Sequence, residues 1–248
     1  MAATRRTALV TGAGKNIGRA CAHALAEEGF DVVVNGSSDR AACDAVAREV
    51  EKTGRKALVV MGDVGKPEEC KRIADEVIKT FGAVDALLNN AALRPSKPFL
   101  ETSDEDWRRV LAVDMEAAIW LSRACLPGMV SKGWGRIVNF AGLNAIHGHA
   151  GRVPVSVAKH GVWGLTKALA MEFGPKNVTV NTISPGPIAP DTEEKNASAQ
   201  ARKDSIARVP LGRMGTPVEV AAAARLLVSD AGGYINGQMI AVNGGGAT

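Results

Sequence analysis

Thr11-Gly12-Ala13-Gly14-Lys15-Asn16-Ile17-Gly18 joins a short apolar run to a longer amphipathic one, the position at which a phosphate-binding turn belongs. Glycines in such a turn let backbone N–H groups approach a pyrophosphate, and the start of the following helix favours its negative charge. Gly12, Gly14, Lys15, Asn16, Ile17 and Gly18 are therefore candidate contacts of a dinucleotide. After the next apolar run, Asn35-Gly36-Ser37-Ser38 carries no carboxylate before Asp39. A carboxylate there would take the ribose 2′-hydroxyl of NAD, whereas hydroxyls and cations suit a 2′-phosphate. Ser37 and Ser38, with Lys15 and Arg40 close in sequence, favour NADP(H) over NAD(H), unless Arg40 is only a solvated helix residue. An imidazole can pass a proton near neutral pH, so His147 or His149 could do so, or simply shape a solvated loop. A His-x-His metal site lacks a third ligand nearby. Cys21, Cys43, Cys70 and Cys125 have no metal-ligand spacing and read as buried thiols of a reducing cytoplasm.

The elements that must position these groups alternate from end to end. Runs at Thr7–Val10, Asp31–Asn35, Ala57–Met61, Val84–Asn89, Gly135–Phe140, Val178–Ser184 and Met239–Val242 read as strands. Helical patterns fill the intervals, at about 17–29, 39–53, 67–81, 107–126, 155–173 and 217–229. Continuous apolar strands separated by helices predict a parallel sheet buried on both faces. The expectation is one α/β domain over residues 1–248, a Rossmann-type doubly wound sheet of about seven strands. A charged, lid-like segment at about 187–216 carries Asp191, Glu193, Glu194, Lys195, Arg202, Lys203, Asp204, Arg208 and Arg213.

Composition sets the outer limits. A chain of 248 residues, 46% hydrophobic, can bury a large core. The net charge of +4 is spread without a basic cluster, which argues against nucleic acid. No apolar run reaches the ~18 residues of a membrane span. The start, with Arg5 and Arg6 before a few apolar residues, reads as the first strand and not as a signal peptide.

Taken in order, several segments resemble the short-chain dehydrogenase/reductase family over nearly the whole chain. The glycine turn is similar to that family's Thr-Gly-x-x-x-Gly-x-Gly, with Asn16 at the middle glycine. Asn tolerates left-handed backbone better than most residues, which suits the replacement. Asp63-Val64 resembles the pair that meets the adenine, and Asn89-Asn90-Ala91-Ala92 the segment at the fourth strand. Asn89 could equally be a brace between central strands. Pro185-Gly186-Pro187-Ile188 resembles the segment whose backbone meets the nicotinamide carboxamide, and Tyr234 to Gln238 with Asn243-Gly244-Gly245 the family's last strand and tail. The resemblance implies Asp63, Val64, Asn89, Ala91, Lys159, Pro185, Gly186 and Ile188 as further cofactor contacts.

The same resemblance implies hydride transfer between nicotinamide and a carbonyl or alcohol carbon, with a tyrosine moving the proton, a lysine four residues on and a serine orienting the substrate. Here that segment reads Val155-Ser156-Val157-Ala158-Lys159, so the lysine stays and valine stands at the tyrosine position. The serine position falls on Gly142 and the assisting asparagine on Asp114. The chain has one tyrosine, Tyr234, so no shift of register restores a phenol beside Lys159. Loss of a positioned general acid costs ~10²–10⁴ in rate. Lys159, Asp114 and His147 are then the candidate catalytic groups. A cation beside Asp114 would lower its pKa, making it a better base or salt-bridge partner than acid.

Three readings stay open. One is an NADP(H)-binding oxidoreductase with an atypical active site, acting on a small polar carbonyl or alcohol substrate. Another is a catalytically silent subunit paired with an intact homologue. The last is a lyase, isomerase or dinucleotide sensor on the same scaffold. A cytoplasmic homo-oligomer, dimer or tetramer, is expected, or a hetero-oligomer with a related subunit.

Overall fold

The computed structural model describes residues 5–191 and 199–247. Seven parallel strands form one sheet in the order β3-β2-β1-β4-β5-β6-β7. They are β1 (Thr7–Val10), β2 (Asp31–Gly36), β3 (Ala57–Met61), β4 (Ala86–Asn89), β5 (Gly135–Phe140), β6 (Val178–Pro185) and β7 (Met239–Val242). The helices among the described residues are α1 (Asn16–Glu27), α2 (Arg40–Glu51), α3 (Pro67–Phe81), α4 (Asp104–Leu111), α5 (Ala117–Lys132), α6 (Val153–Phe173), α7 (Ala199–Ile206) and α8 (Pro217–Val228).

Alternation along each strand builds two cores. Ala8 and Val10 face one side with Val32, Val34 and Leu88, under Cys21 and Leu25 of α1, Val46 of α2 and Leu227 of α8. Leu9, Val33, Leu87 and Ile137 face the other, under Ile73 of α3 and Leu121 of α5. A period of two on strands covered on both faces produces this Rossmann-type α/β arrangement. No helix among the described residues is long and apolar enough to cross a membrane.

The helix expected at 107–126 differs in detail. It begins at Asp104 behind a Ser103–Asp106 capping box, and α4 and α5 are joined by a π-type turn, Ala112–Glu116. Such turns add a residue to the helical ladder and recur at functional sites. Asp114 lies within this one.

The sheet reverses its winding direction between β1 and β4, its topological switch point. In open α/β sheets ligands bind in the crevice beyond the strand ends at that point. A buried lateral network fixes the neighbouring elements. Asn89 donates to Asn139 Oδ1 (2.8 Å), Asn139 to Thr166 Oγ1 (2.9 Å), and Thr166 shares a hydrogen bond with Thr182 (2.7 Å). These bonds link β4, β5, α6 and β6, so α6 is held at a set height over the crevice.

Candidate active site

The glycine turn is locked from the β4 side. Asn90 Nδ2 donates to the carbonyls of Thr11 (2.8 Å) and Gly12 (3.1 Å), and Thr11 Oγ1 accepts the N–H groups of Asn90 and Ala91 at 3.0 Å. Gly12 is left-handed at φ 60°, and Asn16 is left-handed too, at φ 51°. A Cβ at Gly18 would stand 2.2 Å from the Gly12 carbonyl oxygen, so only glycine fits there. The α1 N-terminus has no side-chain cap from Lys15. Its Asn16 N–H instead donates to both carboxylate oxygens of Asp191, at 2.9 and 3.0 Å. Asp191 N–H returns a bond to Asn16 Oδ1 (3.0 Å), and Arg19 reaches the same carboxylate at 3.4 Å. An anion thus already sits where the turn and the helix start would hold a phosphate.

At the end of β2, Ser37 and Ser38 are exposed. The Asp39 carboxylate is used as the α2 cap, accepting Ala42 N–H at 2.9 Å. Arg40 lies 3.7 Å from Asp44 on the exposed face of α2. Asp63 accepts Gly65 N–H and is gripped by Arg109 at 2.9 Å, while Val64 is buried against the opposite core. Asn89 is a brace to β5 by its amide nitrogen, whereas its Oδ1 is buried with no partner among the described residues. Gly186 N–H bonds Val242 O (3.0 Å), and Ile188 forms a parallel bridge with Gly215. Thr192, Glu193, Glu194 and Lys195 lie outside the described residues.

Lys159 and Asp114 meet in the interior. Lys159 Nζ is 3.4 Å from Asp114 Oδ2, with the side chains 6% and 0% exposed. Asp114 Oδ1 accepts Leu93 N–H at 2.6 Å, and Oδ2 has no donor aligned on it. Burial pushes the Asp114 carboxyl up from its ordinary value, against the opposing pull of Lys159 and of Leu93 N–H. The expectation of a lowered carboxyl is therefore reversed, because desolvation outweighs the two cations, Lys159 and Arg94. Burial likewise pushes the Lys159 ammonium down, with Asp114 opposing and Arg94 adding to the fall. Each group is moved toward its neutral form, which brings the proton affinities of the two closer together. A small cavity lies beside the pair, lined by Thr11, Val64, Asn89, Ala91 and Asp114 among others.

The profile of the family described as enoyl-(acyl carrier protein) reductase matches residues 12–247. The nodulation protein G of Azospirillum brasilense is 37% identical over 244 residues, 98% of each chain. The 3-oxoacyl-[acyl-carrier-protein] reductase FabG of Aquifex aeolicus is 37% identical over 241 residues, 97% of this chain and 96% of that protein. Among solved structures, acetoin dehydrogenase from Enterobacter cloacae superposes with a TM-score of 0.91 at 33% identity, covering 98% of this chain and 96% of its own. This chain belongs to the short-chain dehydrogenase/reductase family. Acetoin dehydrogenase YohF from Salmonella typhimurium has the same fold, with a TM-score of 0.89 at 28% identity and coverage of 97% and 95%.

Within this short-chain dehydrogenase/reductase framework, Val155 is buried one helical turn before Lys159, on the same face of α6. Gly142 has φ 86°, a conformation that side chains rarely adopt. Tyr234 is fully exposed and precedes β7, at the edge of the sheet opposite the crevice. His147 and His149 are exposed on the loop before α6. His149 Nδ1 lies 3.0 Å from the Ala150 carbonyl, and no hydrogen bond or ion pair joins His147 to Lys159 or Asp114. Three positions carry more than their residue types announced. Asn90 holds the glycine turn, Arg94 acts electrostatically on both members of the buried pair, and Asp191 fills the anion seat. Only Asn90 had a usable signal, its place in Asn89-Asn90-Ala91.

Proposed function

We propose that this chain is an NADP(H)-binding oxidoreductase with an atypical proton path, acting on a small polar carbonyl or alcohol. The observation that carries the reading is the buried Lys159–Asp114 pair beside Val155, at the same sheet edge as an anion seat. The residues present fit a dinucleotide. Gly18 leaves no room for a side chain, Asn16 N–H already binds a carboxylate, and Asn89 Oδ1 and Ser184 Oγ are orphaned buried acceptors on strands ending at the crevice. Gly12, Gly14, Lys15, Asn16, Ile17 and Gly18 would hold its pyrophosphate, Ser37, Ser38 and Arg40 its 2′-phosphate, and Asp63 with Val64 the adenine end. Ala91, Pro185, Gly186 and Ile188 would frame its nicotinamide end.

A nicotinamide dinucleotide supplies or accepts hydride when bound. The chain's own residues supply the rest. Lys159 Nζ holds the proton that the reacting oxygen needs, since Val155 offers none. Burial weakens its hold on that proton, and Asp114 at 3.4 Å receives or returns it. His147, exposed on the neighbouring loop, is the alternative donor. With valine four residues before Lys159 there is no phenol to move the proton, so turnover is slow relative to a phenol-bearing site.

Titration with NADPH and NADH, followed by a carbonyl panel, tests the reading. NADPH should bind more tightly, and turnover should fall on Lys159→Met or Asp114→Asn more than on His147→Ala. Failure to bind either nucleotide would remove the cofactor assignment. A stoichiometric related subunit in native mass spectrometry would replace the reading with that of a silent partner.

A further inference from the structure

The walls of the crevice above Val155 are unequal in charge. Over the chain as a whole, Lys and Arg number 30 against 26 Asp and Glu, close to balance. The loops that frame this mouth, residues 89–98 and 141–155, hold Arg94, Lys97 and Arg152 and not one Asp or Glu. Lys97 is spoken for by Asp106 at 2.6 Å. Arg94 is exposed and makes no hydrogen bond or ion pair within 4 Å among the described residues, yet its charge acts on both Lys159 and Asp114. Arg152 is half-buried, and its Nε is a buried donor with no partner. Most other arginines with described side chains find carboxylates, among them Arg6, Arg19, Arg72, Arg109, Arg213 and Arg225.

Geometry brings the two arginines to one place. Lys97 N–H donates to Gly151 O at 2.8 Å, so the loop carrying Arg94 runs against the loop carrying Arg152. Leu93, next to Arg94, donates its N–H to Asp114. Val155 and Lys159 share one face of α6, and Arg152 is the residue that immediately precedes the helix, three positions before Val155. Three cations therefore lie on the segments that meet around Val155, against one carboxylate, Asp114, which is committed to Lys159. The N-terminus of the 21-residue α6 has no side-chain cap and adds to the positive side.

We infer that the substrate of this crevice carries its own carboxylate, bound by Arg152 and Arg94, with the reacting carbon over Val155 and Lys159. Guanidinium forks match carboxylates in a bidentate way that a neutral ester does not reproduce. Arg152 immediately precedes the first turn of α6 and Val155 lies within it, so their backbones stand about one turn's length apart, roughly 5 Å. That spacing suits a short oxo acid or hydroxy acid with a few carbons between its two functional groups. The inference rests on the active-site reading above for the identity of the reacting centre, and not on any nucleotide preference.

The test measures binding of 4-oxopentanoate and 3-hydroxybutanoate against their methyl esters, by ligand-observed NMR titration of the full chain with and without NADPH. The acids should bind at least about tenfold more tightly than the esters. Arg152→Gln and Arg94→Gln should each erode that preference, Arg152→Lys should retain part of it, and NADPH affinity read in parallel checks that each variant is folded. Esters binding as well as acids, acids failing to bind, or a preference that survives in the Arg94→Gln/Arg152→Gln protein would each overturn the inference. An acidic acyl carrier protein that binds through these arginines while the free acids are ignored would overturn it as well. Acids bound with the stated preference in a protein that takes up no nucleotide would uphold the anion site and sink the cofactor assignment instead.

Discussion

Lys159 Nζ and Asp114 Oδ2 face each other at 3.4 Å from two different elements, α6 and the π-type turn before α5. Removing either partner leaves a buried charge without compensation, which costs ~3–5 kcal/mol where it has been measured, while removing both costs far less. Lys159→Met and Asp114→Asn are each expected to lower stability by about 3 kcal/mol or somewhat less for the isosteric amide. The double variant should lose less than the sum. Urea unfolding of all four proteins gives the coupling directly, and additive losses would mean that the two groups do not act as a pair.

Gly142 makes restoration of a serine at the family's position more than a side-chain exchange. A Cβ there has space, since its nearest neighbour outside the adjoining residues is Pro185 O at 3.7 Å. The strain comes from the backbone at φ 86°. Gly142→Ser should therefore cost ~1–3 kcal/mol unless the loop relaxes. Val155→Tyr alone should raise carbonyl turnover more than Gly142→Ser alone, because a phenol four residues before Lys159 restores a proton donor. Equal silence of Val155→Tyr and the double variant would show that the missing phenol is not what limits the rate.

The fold was open to sequence reasoning because its signals are local. β2 was expected at Asp31–Asn35 and spans Asp31–Gly36, since a run of valines on a buried strand needs no distant information. The start of α4 was placed late because its first turn is acidic and polar; the marker was the Ser103–Asp106 capping box and not apolar periodicity. The π-type turn around Asp114 left no compositional trace. Within the site, the glycine turn announced itself, whereas Asp191 reaches Asn16 across 175 residues of sequence and the loops of Arg94 and Arg152 are joined through the Lys97–Gly151 contact. The direction of the Asp114 shift was misjudged for the same reason: the cation was visible in the sequence, and the depth of burial was not.

Acid should loosen the seam between α1 and α2. Arg19 clasps Glu49 with two bonds, at 3.0 and 2.8 Å, and His23 adds a third at 2.7 Å. The hydrogen bonds from Arg19 chiefly hold the Glu49 carboxyl down, at about 2 against an ordinary 4.5. A folded value below the unfolded one means a contribution present above about pH 4.5 and lost as pH falls toward about 2. Partial exposure screens the pair, so the effect is modest. Stability of the Glu49→Gln variant, followed by chemical unfolding from about pH 6 downward, should change less over that window than stability of the parent. Parallel curves would remove Glu49 as the source.

On the proposed reading, Asp191 and a pyrophosphate would compete for one donor. The carboxylate takes the Asn16 N–H through both oxygens, and Arg19 adds a weaker hold at 3.4 Å. An anion at a helix start gains ~0.3–1 kcal/mol from the helix field, and charge-assisted bonds add to it. Nucleotide binding must displace that interaction, so its free energy is subtracted from the affinity. Asp191→Asn keeps the side chain's size and removes the charge. It should tighten NADPH binding by roughly two- to fivefold, with a larger gain at low salt, where the displaced ion pair is strongest. Fluorescence titration at two ionic strengths reads both effects. Weaker binding in Asp191→Asn would show instead that the carboxylate helps to build the seat, holding Asn16 in its left-handed conformation through the two bonds it accepts from Asn16 N–H.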